Sequence, residues 1–429
     1  MMRNLVMALM TLTLLAAVPV QAADSSFAVV TQHGVSNGAQ YAMFLPAVWN
    51  GRLIVYAHGF IDPAAPIALP DVAPADVAPW VVQLRETLLS QGYAVAYSSY
   101  AQNGWAVQDG AARTHELRDL FIQSFGPPTQ VYVMGRSLGA LITVDLAENF
   151  PSAYQGALSL CGPLGGGRTE TDYIGNVRVL FDDYYPGVIP GDVLHVPDME
   201  YSASSPIVKA IVAAILANPQ RAVALAAVDQ VKVPYTTPSQ LLLSIVRAIG
   251  YNIRGTNDLL ARSGGQSPFG NLGLSYTRLG VPDPFLNAGV GRFAAQAGGI
   301  AYLNSYYQTR GSLAIPLLTL HTTMDPDVPF FHEAAYAKIV AAARTSRWLA
   351  QQSVQRYGHC NVTPAEVAFT LSQLVNWAEN GVKPMTGDVT VGLAAALPDS
   401  TASYATTTAA SESAFDEAIL SAAAGVPLP

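Results

Sequence analysis

The chain has 429 residues, 51% of them hydrophobic and 12% charged, with a net charge of -8. That length can bury a large core, and the composition excludes a disordered polypeptide. An acidic chain with no basic run also excludes nucleic acid as a partner, because nothing in it can displace counterions from phosphates.

In chain order, Arg3, the apolar run Leu5 to Val18 and the small residues of Val20-Gln21-Ala22 predict a cleaved targeting signal over residues 1–22. The mature protein is then expected to be secreted or periplasmic, the alternative being an uncleaved membrane anchor. No later stretch is apolar enough to predict a membrane span. Strands are predicted at Ala39 to Leu45, Arg52 to Ala57 and Tyr93 to Ser98. A helix over Ala111 to Phe125 ends at Gly126-Pro127-Pro128. A strand at Val131 to Met134, a helix from Ser137 to Asn149, a strand at Gly156 to Leu160 and a Gly-rich turn follow.

From Arg168 to Leu313 the alternation stops, and apolar helical stretches such as Pro206 to Ala217 and Gln240 to Ile249 mix with Gly-, Pro- and Tyr-rich loops. The rhythm resumes with a strand at Ile315 to His321, a helix at His332 to Ala342, a strand at Trp348 to Arg356 and a helix at Thr363 to Glu379. This predicts an α/β protein with a mostly parallel central sheet flanked by helices. The core is expected in two parts, residues 23–167 and 314–384, with a large helical cap over residues 168–313 inserted between core strands. Residues 385–429 form an Ala-, Ser- and Thr-rich tail, expected to be lightly docked at most and dispensable for catalysis.

The sharpest motif is Gly135-Arg136-Ser137-Leu138-Gly139, a G-x-S-x-G between a predicted strand and a predicted helix. Such a turn lifts a serine hydroxyl above the sheet edge, and the two glycines avoid collisions with neighbouring elements. A serine needs a base, and the base needs an orienting carboxylate. Of the histidines after Ser137, His359 sits in a loop after the last predicted strand. His321 is expected to pack or hydrogen-bond locally, and His195 and His332 to lie on the surface or a helix. Asp325, in the loop Asp325-Pro326-Asp327-Val328-Pro329, is the candidate acid, with Asp327 as its competitor or a solvated turn residue. Two backbone N–H groups should receive a developing oxyanion. Leu138 supplies one, and Phe60 in Ala57-His58-Gly59-Phe60 supplies the other, with Gly59 as second choice. His58 is expected to hold that loop. Trp105 is a candidate for the mouth of the site.

The two cysteines, Cys161 and Cys360, are free to pair in an oxidising compartment, the alternative being two buried thiols. Cys161 ends the strand after the serine helix and Cys360 adjoins His359, so a bridge there would pin the histidine loop. No cofactor and no metal are expected, because no ligand spacing for a metal appears.

Together, the strand-H-G-F, the G-R-S-L-G turn, the D-P-x-V-P loop and the G-H-C loop resemble a secreted bacterial α/β-hydrolase family serine esterase. The resemblance covers about residues 27–165 and 315–384. It implies hydrolysis of carboxylic esters through a Ser-His-Asp triad and a covalent acyl-enzyme. Tannases and feruloyl esterases carry a cysteine directly before the nucleophile, where this chain has Arg136. The expected partner is a small-molecule or polymeric ester, apolar in character. The alternatives are a secreted serine peptidase or amidase of the same fold, and a non-catalytic binding protein related to it.

Overall fold

The structure, a computed structural model, describes residues 28–390, 392 and 414–424. The candidate targeting segment lies outside the described residues. Six strands come first: β1 (Val29–Ser36), β2 (Ala39–Pro46), β3 (Arg52–Ala57), β4 (Ala94–Ser98), β5 (Gln130–Arg136) and β6 (Gly156–Leu160). Among them lie α1 (Ala78–Ser90), α2 (Val107–Phe125) and α3 (Leu138–Asn149). After β6 the chain runs through α4 (Gly167–Tyr184), α5 (Pro206–Ala217), α6 (Pro219–Ala226) and α7 (Pro238–Arg262). A two-residue-strand hairpin, β7 (Thr277–Arg278) and β8 (Val281–Pro282), precedes α8 (Pro284–Gly289) and α9 (Ala297–Tyr306). The sheet resumes with β9 (Leu317–Met324), α10 (Phe331–Ala342), β10 (Leu349–Tyr357), α11 (Pro364–Asn380) and β11 (Gly387–Asp388). A final helix, α12, spans Ala414–Ala423.

The sheet has nine strands in the order β1-β2-β4-β3-β5-β6-β9-β10-β11. Only the β1–β2 and β2–β4 pairs are antiparallel, and the rest of the sheet is parallel. This mostly parallel sheet flanked by helices is the α/β-hydrolase arrangement expected from the sequence. Strand period explains the two cores. Leu53, Val55, Val131 and Val133 face the side that carries α2 and α3. Ile54, Tyr56, Tyr132 and Met134 face the side that carries α1 and α11. With both faces covered, the central strands read as continuous apolar runs.

Most differences from the sequence reading are at ends and edges. β1 was not predicted, and it is a mostly exposed edge strand that gives no clean alternation. The sequence pattern predicts neither α1 nor α4, and α7 runs 25 residues, well beyond its apolar middle, Gln240 to Ile249. The segment after Pro384 is not merely an appendage: β11 pairs in parallel with β10, and α12 packs on α5 and α7. Ile419 and Ala423 are buried, four residues apart on one face of that helix. Among the described residues no single helix is long and apolar enough to cross a membrane, although the bent pair α5–α6 reaches that length and composition together.

Candidate active site

Ser137 sits between the end of β5 and the start of α3 with φ 58° and ψ −125°, a left-handed conformation that a serine adopts only under constraint. Its neighbours supply the constraint. A Cβ on Gly135 would lie 2.1 Å from the Gly139 carbonyl oxygen, and a Cβ on Gly139 would lie 2.1 Å from the Ala57 carbonyl oxygen. Only glycine fits at either position. The Ser137 N–H donates to the Leu160 carbonyl at 2.8 Å, which ties the turn to the end of β6.

The structure brings the three candidate residues together. The Ser137 Oγ lies 2.8 Å from His359 Nε2, and His359 Nδ1 lies 2.8 and 3.0 Å from the two Asp325 oxygens. Asp325 ends up at the tip of β9, and His359 follows β10 in the next loop, so parallel neighbouring strands deliver both to one sheet edge. α11 begins soon after His359, with Thr363 and Glu366 forming a reciprocal cap and Pro364 in the first turn. That cap fixes where the histidine loop must end.

Asp325 is fully buried yet well supplied with donors. Its Oδ1 accepts the N–H groups of Asp327 and Val328 at 2.9 and 3.0 Å, and its Oδ2 accepts the Cys360 N–H at 3.3 Å. Burial works to raise its pKa, but His359 and His321 outweigh burial and hold the carboxyl well below the usual carboxylate range.

His321 does more than pack. Its Nδ1 faces Glu333 Oε1 at 3.1 Å, while its Nε2 faces the Val328 carbonyl at 2.9 Å and Asp325 Oδ2 at 3.5 Å. Every partner is an acceptor, so both ring nitrogens must carry protons. Burial opposes that charge, but Asp325 and Glu333 overcome it and push His321 up to about 10. His332, expected on the surface or a helix, lies in the first turn of α10 and is completely buried. Its Nδ1 accepts the Gly165 N–H at 3.0 Å, and its Nε2 donates to Glu170 at 2.9 Å. Burial, then the His321 charge, push His332 down to about 3, and burial, then Asp325, raise Glu170 well above its usual range. Both shifts favour the uncharged form of each partner.

Asp327 is not a solvated turn residue. It is buried and held by Arg247, whose Nε and Nη2 reach its two oxygens at 2.7 and 2.5 Å, while the Tyr251 hydroxyl donates at 3.1 Å. Arg247, Tyr251 and Arg254 stand at i, i+4 and i+7 on α7 and share one face. The sequence reading missed all three, although this stripe of Arg, Tyr and Arg was the available signal.

Among the described residues, neither the Phe60 N–H nor the Leu138 N–H donates to any backbone or side-chain acceptor. The loop after β3 lies against the serine turn, and a Cβ on Gly59 would be 3.1 Å from the Ser137 Cβ. His58 holds this loop: its Nδ1 donates to the Gly59 carbonyl at 2.8 Å, and its ring stacks on Tyr100 with centroids 3.7 Å apart. Burial pushes His58 down to about 4, so the ring stays neutral.

These groups open into a cleft of about 290 Å³. Its walls mix aromatic with charged side chains, including Phe60, Tyr201, Tyr251, Arg136, Arg254 and Asp327. The pocket is therefore not uniformly apolar. Trp105 does not line this cleft: it stacks edge-on behind Phe60 at 5.8 Å and lines a neighbouring pocket of about 30 Å³. Cys161 and Cys360 form a disulfide with Cα atoms 5.4 Å apart. Among the described residues no cluster of three metal-binding side chains occurs.

No family model matches the chain, and no curated protein matches it. Solved structures do. Feruloyl esterase B from Aspergillus oryzae is 15% identical, with a TM-score of 0.45 over 84% of this chain and 82% of that one. Lipase A from Candida antarctica in its closed state is 15% identical, with a TM-score of 0.44 over 83% of this chain and 78% of that one. A rice cell wall degrading esterase from Xanthomonas oryzae is 14% identical, with a TM-score of 0.39 over 82% of this chain and 89% of that one. These solved structures are esterases and a lipase.

Proposed function

We propose that the protein is an exported serine hydrolase that cleaves carboxylic esters through a covalent acyl-enzyme. The observation that carries this reading is the hydrogen-bonded line from Ser137 Oγ through His359 to Asp325, with the serine backbone in a left-handed conformation. Ser137 Oγ attacks the ester carbonyl as His359 Nε2 takes its proton. Asp325 keeps the proton of His359 on Nδ1 and offsets the imidazolium charge as it forms. The Phe60 and Leu138 N–H groups receive the carbonyl oxygen as it becomes negative, and they need no reorganisation to do so. His359 then protonates the departing alcohol, leaving the acyl group on Ser137. Water attacks that acyl group by the same route in reverse, which releases the acid and restores Ser137.

Two further features support the reading. The Phe60 and Leu138 N–H groups, which make no bond among the described residues, are free to receive the oxygen of a bound substrate. The disulfide fits export, since such bridges persist in oxidising compartments.

The test is hydrolysis of p-nitrophenyl esters of increasing acyl length by the mature protein and by Ser137→Ala. Turnover by the wild type and a loss on the order of 10⁴-fold or more in the variant is expected. Turnover that survives Ser137→Ala, or a folded wild type inert toward every ester but active on anilides, would overturn the ester reading.

A further inference from the structure

α12 reaches the cleft from far along the chain. Its first turn places Phe415 and Asp416 in the lining of the cleft that contains Ser137 and His359. Two separate contacts fix it there. Arg247 holds Asp327 with Nε and Nη2, and its Nη1 holds both oxygens of Asp416 at 3.1 and 3.2 Å. Phe415 stacks on Tyr201 with centroids 6.1 Å apart and planes 28° from parallel. Below these contacts, Ile419 and Ala423 bury the opposite end of the helix against α5 and α7.

The rings form a continuous belt. Phe60, whose backbone N–H is a candidate oxyanion donor, meets Tyr251 edge-on at 5.7 Å. The Arg254 guanidinium lies over Tyr251 and Tyr201, at 5.2 and 5.9 Å from their centroids. Tyr201 in turn carries Phe415. A close approach is built in, because a Cβ on Gly250 would lie 2.6 Å from the Tyr201 ring. A substrate bound at Ser137 therefore meets an aromatic wall that starts at Phe60 and ends on α12.

We propose that α12 is the far wall of the substrate cleft and determines specificity, selecting esters whose larger half is long or aromatic enough to reach Phe415. The proposal rests on the serine-esterase reading and deepens it. Phe415 acts by contact with the substrate's distal half. Asp416 is a positioning residue, because its bond to Arg247 sets where Phe415 stands. A short ester such as an acetate does not reach α12 and should be indifferent to it.

The experiment uses the full chain and its variants Phe415→Ala and Ile419→Asp. Phe415 lines the cleft, whereas Ile419 is buried in the docking face and does not line it. The reading is the ratio of kcat/KM for a long-chain or aryl p-nitrophenyl ester over that for the acetate, with fluorophosphonate labelling of each protein as a control. The expected result is a ratio lowered about tenfold in both variants, with acetate turnover and labelling retained, in line with the loss of one pocket contact. Phe415→Ala sits on a partly exposed ring, so it keeps the test sound if Ile419→Asp fails to fold. A wild-type ratio in Phe415→Ala, with labelling intact, would overturn the proposal and leave the esterase reading standing. A wild type that is neither labelled nor active would overturn the esterase reading and this one with it.

Discussion

Cys161 and Cys360 are joined although 199 residues separate them, and both hold a left-handed backbone with φ near +50°. Cys161 closes β6, whose last carbonyl fixes the Ser137 N–H, and Cys360 follows His359 directly. The bridge therefore ties the end of β6, which anchors the Ser137 turn, to the loop that carries His359. Cross-linking so distant a pair restricts the unfolded chain strongly, and roughly 5 kcal/mol is the ceiling for a loop of this size. Replacing both cysteines with alanine should cost about 2–5 kcal/mol in urea unfolding and reduce ester turnover. Unchanged unfolding midpoints with and without reductant would contradict this.

His321 carries its own pH signature. Its folded-state value is raised, so its contribution to stability is complete below the unfolded value of about 6.5 and is lost as pH rises through about 10. The groups facing it are Asp325, Glu333 and the neutral His332. Asp325 works in the opposite direction: its value is depressed, so its contribution holds above the ordinary carboxylate range and fades only in strong acid. The wild-type melting temperature should therefore fall between pH 6.5 and 10 more steeply than that of His321→Gln. The variant should also be less stable at neutral pH by about 3–5 kcal/mol, because two buried carboxylates lose their cation. Parallel melting curves across that range would refute the buried imidazolium.

Two carboxylates share the acid loop, and the structure separates their tasks. Asp325 meets His359, whereas Asp327 meets Arg247. Asp325→Asn should lower kcat by about 10⁴-fold, the scale of losing the residue that fixes the histidine tautomer. Asp327→Asn leaves that contact in place and should cost far less in kcat, with its effect mainly on KM and stability. Equal losses in kcat would show that the assignment of the acid is wrong.

Gly139 has no room for a side chain. A Cβ there would meet the Ala57 backbone at 2.1 Å, and backbone cannot swing aside as a flexible side chain can. Gly139→Ala should destabilise the fold by about 3 kcal/mol or more, since overpacking against rigid neighbours sits at the upper end of such costs. Chemical unfolding of the purified variant measures it, and a wild-type midpoint would contradict the packing argument.

The parts of the site that were legible in the sequence are those encoded by short local patterns. The Gly135 to Gly139 turn, the Asp325 loop and the His359 loop each lie just past an apolar strand, and a parallel sheet gathers such ends at one edge. What stayed hidden depends on contacts between distant segments. Arg247 to Asp416 spans 169 residues and Glu170 to His332 spans 162, and no local periodicity announces either. His332 sits in the first turn of α10, where polar residues are normally wet, so its burial follows only from α4 packing beside it. The Ala-rich surroundings of α12 carry no motif, and its docking shows only in the apolar spacing of Phe415, Ile419 and Ala423.

The most direct test is of Ser137 as an activated nucleophile. The measurement is peptide mapping of the mature protein after reaction with a fluorophosphonate, with Ser137→Ala and His359→Ala beside it. A single adduct on the peptide containing Ser137, absent from Ser137→Ala and strongly slowed in His359→Ala, is the predicted result. A folded wild type that gains no adduct, or gains one on another residue, would contradict it.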